Sequence, residues 1–560
     1  MSKRKLRSNF PRGSYLWAVR RAHYQALGIA EADMEKPKIA VVNSSSELAI
    51  CFSHLDGVAA KVKEAVRAAG GLPFEVRTAA PSDFITGAGH RGGYILSARD
   101  LIPNDIEVQV EGAQLDGMVL LASCDKTVPG QLMAAARLNI PSIVIVCGYQ
   151  ASGEHQGKHV DIEDVFLHSM HVATGRMTVE ALEDMADHAI RSPGVCSGMG
   201  TANSMHVVCE ALGMALPGSA PVAANSPRMM EFVRQAGTRI VELVEADLRP
   251  RDILTPGAFR NAVMAVLAVG GSMNTVKHLQ ATAVEAGLGT DIYKLFEKLA
   301  AKVPVIAGVR PIGNHSIEAF EAAGGARAVM KQLEGMLDTK PMTVSGRTVA
   351  ENLKNYVVKD EEVIRPASRP VAKKPALVVL RGSLAPDAAI VKIGISPTKS
   401  RKFAGSAICF STSDEAIEAL KRGRIRPGHV VVLRGLGLTG SPGMGGASRI
   451  VFALDGAGLG EKVAVVTDGQ LSGLVNKGLV VGEVSPEAAA GGPLALVKAG
   501  DRISIDVDRR TVDLLVVQSE LARRRKRLKP AKRTLEPGWL GIYRRNVVPL
   551  PKGAVLTDRG

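Results

Sequence analysis

The sequence predicts an α/β protein with two parts: an N-terminal parallel-sheet α/β domain, followed by a mainly β, barrel-like C-terminal domain. In the first part, short apolar runs alternate with segments of helical periodicity, as a parallel sheet with crossover helices requires. Beyond residue 375 the apolar runs are short and separated by Gly, Pro and Asp, which is typical of strands joined by tight turns. Glycine is frequent, at 58 residues, and aromatic residues make up only 4% of the chain. This composition suits an α/β enzyme better than a β-sandwich.

The predicted N-terminal domain covers residues 1–365. Residues 1–36 form a basic arm that leads into a helix at about Tyr15–Leu27, and the α/β alternation starts at Lys38. Strand-like and helix-like stretches then alternate, and examples are Ile39–Val42, Val58–Ala69, Met118–Ala122, Ile143–Val146 and Ala258–Val269.

A Pro-rich, polar and basic segment at residues 366–375 is the predicted linker. The C-terminal domain then covers residues 376–560, and Asp506–Thr511 resembles the connection of a β-hairpin. Its predicted strands are Ala376–Leu380, Ala389–Ile393, Val430–Leu433, Val463–Thr467, Ile503–Val507 and Val512–Val517.

Charge and cysteine content narrow the class of protein. The net charge is +15, but the basic run at 523–533 carries eight positive charges and residues 3–12 carry five more, which leaves the rest of the chain nearly neutral. With no zinc-finger or RNA-binding signature, this local basicity argues against nucleic acid as a partner.

Six cysteines in 560 residues indicate free thiols or metal ligands rather than a disulfide framework. Without a spanning apolar run, we expect a soluble, cytoplasmic protein that does not bind a membrane.

Three cysteines share one sequence context, a loop that leads into a helix. They are Cys51, Cys124 and Cys196, whereas Cys147, Cys209 and Cys409 lie within apolar strand or helix patterns and are interpreted as structural. Cys124 directly follows a buried-strand pattern, and we expect the following helix start to lower its pKa. Three thiolates could hold an iron–sulfur cluster and leave one iron open to a substrate oxygen. The alternative is that these cysteines are small core residues.

Acidic residues near these cysteines suggest a second, harder metal site. Asp83 and Asp125 supply carboxylate oxygens of the kind that Mg²⁺ prefers. Lys126 would repel a cation as an ammonium, but burial and a metal would favour its neutral amine, which CO₂ can convert to a carbamate. Asp83 could instead cap a helix or turn.

Ser472 lies at the end of the strand-and-turn segment Val463–Gly473. It could act as a hydroxyl or alkoxide if a nearby cation lowers its pKa. Ordinary turn chemistry explains the same residues equally well.

Together these segments resemble the dihydroxy-acid dehydratase family, which includes 6-phosphogluconate dehydratase and several sugar-acid dehydratases. The resemblance extends over nearly the whole chain. It rests on ordered motifs at residues 43–55, 124–137, 196–205, 217–220, 252–261, 270–278, 384–387, 467–473, 484–493 and 552–554.

The resemblance implies a hydro-lyase that converts a 2,3-dihydroxy carboxylate to a 2-keto acid, with a branched-chain amino-acid precursor as the expected substrate. It assigns Cys51, Cys124 and Cys196 to an iron–sulfur cluster, for which [2Fe–2S] is favoured over [4Fe–4S]. It also assigns Asp83, Asp125 and carbamylated Lys126 to Mg²⁺ and the proton-abstracting role to Ser472, and it implies a homodimer or homotetramer.

One departure from the family pattern bears on function. Gly446 stands where the family usually has a Glu that helps to bind Mg²⁺. Two alternatives therefore stay open beside the branched-chain enzyme: a sugar-acid dehydratase, and a paralogue that keeps the fold but only binds.

Overall fold

The computed structural model describes residues 5–395, 399–441, 443–444, 446–473, 475–529 and 537–556. The described part of the chain contains three sheets and twenty α-helices. The strands are β1 Lys38–Asn43, β2 Leu72–Arg77, β3 Gly117–Ala122, β4 Ser142–Val146, β5 Gly153–His155, β6 Lys158–Val160, β7 Leu377–Leu380, β8 Ala388–Lys392, β9 Lys402–Phe410, β10 His429–Leu433, β11 Ala464–Thr467, β12 Leu479–Ser485, β13 Arg502–Asp506 and β14 Thr511–Leu514.

The helices carry the connections between strands and the outer layers. They are α1 Tyr15–Ala26, α2 Leu55–Ala68, α3 Asp83–Thr86, α4 Gly93–Gly112, α5 Thr127–Leu138, α6 Ile162–Ala173, α7 Val179–Ala189, α8 Thr201–Ala211, α9 Pro227–Ala246, α10 Pro250–Ile253, α11 Pro256–Ala268, α12 Asn274–Glu285, α13 Ile292–Leu299, α14 Ile317–Ala322, α15 Gly325–Gln332, α16 Val349–Leu353, α17 Ser413–Lys421, α18 Ser448–Gly456, α19 Gln518–Arg527 and α20 Trp539–Asn546.

The N-terminal sheet is parallel throughout, in the order β2-β1-β3-β4. Every residue of β1, β3 and β4 is buried, because helices such as α2, α5 and α9 pack against the sheet. These strands are therefore continuous apolar runs rather than alternating ones. The carboxyl ends of β1 and β3 lead directly into the loops of Cys51 and Cys124, at the edge where open α/β sheets bind ligands.

The C-terminal sheet has eight strands, in the order β14-β13-β9-β10-β11-β12-β8-β7. A bridge between Arg381 and Thr511 joins its two edges, so the sheet is nearly closed. The predicted fold class, a parallel α/β domain followed by a barrel-like β domain, is thus confirmed. The central strands β9 to β12 are parallel and are crossed by α17 and α18, which the sequence interpretation as a mainly β domain did not include.

Two further features concern the predicted linker and the basic run. Within residues 366–375, Ala372 forms a β-bridge with Val305. In α19, Arg524 is paired with Asp501 and Glu520, so part of the basic charge is neutralised locally; residues 530–533 of the run lie outside the described residues. Among the helices of the described ranges, none combines the length and the apolar character needed to cross a bilayer.

Candidate active site

A cavity of about 710 Å³ lies where loops of the two sheets face each other. Both domains contribute to its wall. Six of the seven predicted site residues line it: Cys51, Cys124, Cys196, Asp83, Asp125 and Ser472. The seventh, Lys126, is fully buried and contacts Asp83 from below the wall. The structure therefore brings together residues that are up to 421 positions apart in the sequence.

The three cysteine loops are fixed by hydrogen bonds from polar side chains of neighbouring segments. The Ser123 hydroxyl donates to the carbonyl of Cys51 at 2.5 Å, which ties the first cysteine loop to the second. The Asn203 amide donates to the carbonyl of Cys196 at 2.8 Å. His206, also in α8, places Nε2 at 2.9 Å from the Ser123 carbonyl. These contacts hold the three thiols around one space before any ligand is bound.

The thiols do not behave as the helix-start argument predicted. The pKa of Cys124 is raised well above its usual value by a hydrogen bond with the Cys51 thiol, by burial, and by the nearby Asp125 and Asp83 carboxylates. Burial, with Asp125 next in effect, also raises the pKa of Cys196. The expectation of a lowered Cys124 pKa is therefore wrong for the metal-free chain, in which the hydrogen bond with Cys51 and burial raise this pKa. Only a bound cation would favour the thiolates.

Lys126 lies between two carboxylates. Its Nζ is 3.0 Å from Asp83 Oδ2 and 3.7 Å from Asp125 Oδ2. Burial lowers the pKa of Lys126, but the two carboxylates outweigh burial and raise it above the ordinary value. The pKa of Asp83 is raised to about 7 by burial, with the Lys126 ammonium acting in the opposite direction. The neutral amine was expected in the presence of a metal and stays a prediction; without one, the Lys126 ammonium is the counter-ion of both carboxylates.

The donor set can be tested against the two groups that the family resemblance implies. Across the described residues, no three Cys, His, Asp or Glu side chains already stand in the arrangement of a bound metal ion. The side chains nevertheless have suitable chemistry for both groups. Cys51 and Cys124 are in contact and share the cavity with Cys196, so the three thiols suit an iron–sulfur cluster. Asp83 and Asp125 face one cation position that the Lys126 ammonium now holds, so Mg²⁺ fits once that amine loses its charge.

Ser472 is held by contacts on both sides of its peptide. Its backbone N–H donates to Ser448 Oγ at 2.8 Å. The carbonyl of the next residue, Gly473, accepts from the buried Lys392 Nζ at 2.8 Å. A side chain at Gly473 would collide with the Ser272 and Thr201 hydroxyls, at 2.5 and 2.7 Å from the added Cβ, so this turn requires glycine.

Lys392 and Glu163 join the serine turn to the Cys196 loop. Burial lowers the pKa of Lys392 to about 8, and attraction to Glu163 opposes that shift. The Glu163 carboxyl lies against Gly198, where an added Cβ would be 2.5 Å from Oε1. Neither residue was predicted from the sequence, although a lysine that ends the buried apolar strand β8 was a usable signal.

Three further lining residues matter for chemistry. Gly446 lines the cavity, and across the described residues a Cβ added there would meet no atom within 4 Å. Gln150 and Gln470 also line it, from loops that follow β4 and β11. Neither glutamine was predicted, although Gln470 lies two residues before Ser472 in the segment already singled out.

Comparison with known proteins identifies the family of the chain. Residues 36–352 match the family profile described as dihydroxy-acid/6-phosphogluconate dehydratase N-terminal, and residues 362–554 match the corresponding C-terminal profile. A protein of Ignicoccus hospitalis named dihydroxy-acid dehydratase is 41% identical, over 96% of this chain and 98% of its own. Proteins of the same name from Acetivibrio thermocellus and Caldicellulosiruptor saccharolyticus are also 41% identical, over 97% and 98% of this chain and 98% and 100% of their own. The chain therefore belongs to the dihydroxy-acid/6-phosphogluconate dehydratase family of hydro-lyases, as its cysteine, carboxylate and serine motifs predicted.

Proposed function

We propose that this chain is an iron–sulfur- and Mg²⁺-dependent dehydratase that converts a 2,3-dihydroxy carboxylate to a 2-keto acid in branched-chain amino-acid biosynthesis. The observation that carries the proposal is the convergence of thiols, carboxylates and a serine from both domains on one cavity. The name dihydroxy-acid dehydratase, which the 41%-identical relatives carry, supports the dihydroxy-acid substrate.

Two groups of side chains would hold the cofactors. Cys51, Cys124 and Cys196 would bind the cluster, as [2Fe–2S], and Asp83 and Asp125 would bind Mg²⁺ together with carbamylated Lys126. When bound, these groups supply Lewis acidity toward the substrate oxygens, which makes the C2 proton more acidic and the C3 hydroxyl a better leaving group.

Ser472 is the residue we assign to proton transfer. Its Oγ would accept the proton from C2 of the substrate, a step that needs the hydroxyl to approach the alkoxide form. The Lys392 ammonium on the adjacent Gly473 carbonyl places a positive charge beside this turn and so favours the alkoxide. The hydrogen bond from the Ser472 N–H to Ser448 keeps the turn in one orientation.

The cavity wall supports a substrate with an aliphatic tail. Phe84 and Phe166, which pack edge to face at 5.5 Å between ring centroids, line it together with several aliphatic residues: Ile85, Ile162, Ile190, Leu436 and Met444. A polyol tail placed against these apolar side chains would leave hydroxyl groups without hydrogen-bond partners. A branched hydrocarbon tail would instead gain from burial there.

We also propose that the chain assembles with at least one further copy. Helix α1 presents Tyr15, Leu16 and Val19 to the surface, with 78%, 52% and 40% of these residues exposed. Large apolar side chains grouped on one exposed helix favour a protein interface. Light scattering after size exclusion should give a mass of two or four chains, and a monomer at micromolar concentration would contradict this proposal.

The test of function combines cofactor content with turnover. Protein purified without oxygen should contain iron and sulfide, show an EPR signal after reduction, and form a 2-keto acid from 2,3-dihydroxy-3-methylbutanoate when Mg²⁺ is supplied. Gluconate, offered in parallel, should turn over much more slowly because its polyol chain fits the apolar wall poorly. A preferred turnover of gluconate would replace the branched-chain assignment. A stable, iron-free protein that binds the dihydroxy acid without converting it would indicate the binding paralogue that Gly446 suggested.

A further inference from the structure

Two glutamine side chains on the cavity wall have amide atoms with unmet hydrogen-bonding capacity. Gln470 is 1% exposed and Gln150 is 2% exposed. Among the described residues, neither Nε2 nor Oε1 of Gln470 has a hydrogen-bond partner, and the same holds for Nε2 of Gln150. The two side chains come from different domains and line the same cavity as Ser472 and the cysteines.

An amide that is buried without partners destabilises a folded protein. Roughly 90% or more of buried polar groups in proteins have at least one partner, so an exception at a cavity wall calls for a reason. Gln280 shows the ordinary case in this chain: its Nε2 donates to the Thr290 carbonyl at 3.3 Å, and its Oε1 accepts from the Ile292 N–H at 2.8 Å. It is buried to a similar degree but does not line the cavity. Gln131, which is buried away from the cavity, has an unpartnered Oε1, but its Nε2 donates to the Leu121 carbonyl at 3.1 Å. Among the described residues, the buried glutamines whose amide nitrogen lacks an acceptor are thus the two that line the cavity.

The cavity wall offers few positively charged side chains to an anionic substrate. Arg449 is the only cation among the described lining side chains, and it is paired with Asp414 at 2.7 Å near the surface. The carboxylates Asp83 and Asp125 face the same space. Beside the proposed metal groups, an anionic substrate can therefore use neutral N–H donors of the wall, and an amide supplies two on its nitrogen.

We propose that Gln470 and Gln150 are substrate-binding residues whose amide N–H groups donate to the oxygen atoms of the dihydroxy carboxylate. The inference rests on the proposed function, because that function supplies the oxygen-rich anion. The last torsion of a glutamine side chain is broad and roughly two-fold, so a small rotation can turn the amide into the cavity without moving the backbone. The substrate then satisfies donors that the free protein leaves unpaired. Loss of one such donor should weaken binding by about tenfold.

The test is Gln470→Leu, a change of similar size that removes the amide. We expect KM for 2,3-dihydroxy-3-methylbutanoate to rise about tenfold while kcat changes less. The thermal midpoint of the substrate-free protein should stay the same or rise, because an unpaired buried amide has been removed. Gln470→Glu, which has the same shape but no N–H donor and adds a negative charge, should raise KM at least as far. Gln150→Leu should show the same pattern as Gln470→Leu.

Gln280→Leu is the matched control. It should lower the thermal midpoint, because it strips partners from Thr290 and Ile292, and it should leave KM unchanged. A lower midpoint with unchanged KM in Gln470→Leu would mean that Gln470 is structural and would overturn the inference, as would wild-type KM in Gln470→Glu. Binding is also followed by the thermal shift that the dihydroxy acid causes. If the wild-type protein shows neither a thermal shift with the dihydroxy acid nor turnover, the proposed function and the inference are overturned together. If the wild type is active and Gln470→Leu has the same KM, the inference alone is overturned.

Discussion

Replacing Lys126 by methionine should destabilise the metal-free protein by an amount that grows with pH above about pH 7. The ammonium of Lys126 is fully buried and 3.0 Å from Asp83. Methionine has similar length but no charge, so the substitution leaves Asp83 and Asp125 without their counter-ion. The prediction concerns protein held in EDTA, in which no cation can take the place of the ammonium.

The magnitude follows from the pKa of Asp83. Burial raises this pKa to about 7 in the wild type, even though Lys126 opposes the shift. An Asp in an unfolded chain has a pKa of about 3.9. The contribution of Asp83 to the free energy of unfolding therefore falls as the pH rises from about 3.9 to 7 and is constant above 7. Without the ammonium, the pKa of Asp83 in the folded protein lies higher still. The free energy of unfolding therefore continues to fall above pH 7, by about 1.36 kcal/mol per pH unit. At pH 9 the variant should be less stable by up to about 2.7 kcal/mol, which for a chain of this length is about 2 °C in Tm.

The assay is the difference in unfolding midpoint between wild type and variant, measured at intervals from pH 6 to pH 9. The difference should be small at pH 6, where Asp83 is protonated in both proteins, and should widen steadily above pH 7. Lys61→Met is the control, because the Lys61–Glu64 ion pair is exposed and its loss should give no widening. A Lys126→Met difference that is independent of pH, or largest at pH 6, would refute the assignment of Lys126 as counter-ion to a carboxyl of raised pKa.

Lys126→Arg separates stability from activity. A guanidinium keeps the positive charge, so this variant should follow the wild-type pH profile more closely than Lys126→Met does. It cannot form the carbamate of the proposed Mg²⁺ site, so dehydratase activity should be lost in both variants. Activity retained by Lys126→Arg would contradict the carbamate while leaving the electrostatic account intact.

Three further predictions concern the other site residues. Cys124→Ser should lose iron, sulfide and activity together. The control is Cys209→Ser, which changes a buried cysteine within α8 and should keep the iron. Iron content at the wild-type level in Cys124→Ser would show that Cys124 is not a ligand of the cluster. Ser472→Ala should lower kcat by roughly 10²- to 10⁴-fold with iron content and thermal midpoint unchanged, and near-normal turnover would exclude it as the proton acceptor. Gly446→Glu should fold normally, because there is open space at the Cβ of residue 446. It should lower the Mg²⁺ concentration for half-maximal activity by about tenfold, and Gly446→Ala is the control that gains no ligand. An unchanged Mg²⁺ requirement would show that a carboxylate at this position does not reach the ion.

Fold class was readable from the sequence where burial is complete. Strands β1, β3 and β4 are buried on both faces, so their sequences are continuous apolar runs with sharp ends. The C-terminal domain was only partly readable. Its helices α17 and α18 have nine residues each, too short for a clear helical period, and so the parallel centre of the second sheet was interpreted as simple β structure.

The site was predictable as a set of residue types but not as an electrostatic system. The order of motifs identified the family, and with it the three cysteines, two aspartates and one serine that line the cavity. The direction of the pKa shift at Cys124 depends on Cys51 and Asp83, which are 73 and 41 positions earlier in the chain. Sequence gives the local helix start but not such through-space neighbours. For the same reason the unpaired state of Gln470 became visible only once its surroundings were known.

The charge balance around Lys126 links metal binding to the missing carboxylate at Gly446. As an ammonium, Lys126 offsets one of the two aspartate charges and occupies the cation position. Conversion to a carbamate would change the charge of this side chain from +1 to −1. The carbamate, Asp83 and Asp125 would then be three negatively charged oxygen ligands for Mg²⁺. In a chain without the Glu usual at residue 446, the proposed carbamate would be the third anionic ligand, so CO₂ and Mg²⁺ should each increase the binding of the other. Activation of metal-stripped protein should therefore need less Mg²⁺ as bicarbonate is raised, and should speed up with pH, because the raised pKa of Lys126 leaves little neutral amine near pH 7. A Mg²⁺ requirement independent of bicarbonate would show that the two aspartates bind the ion without help from Lys126.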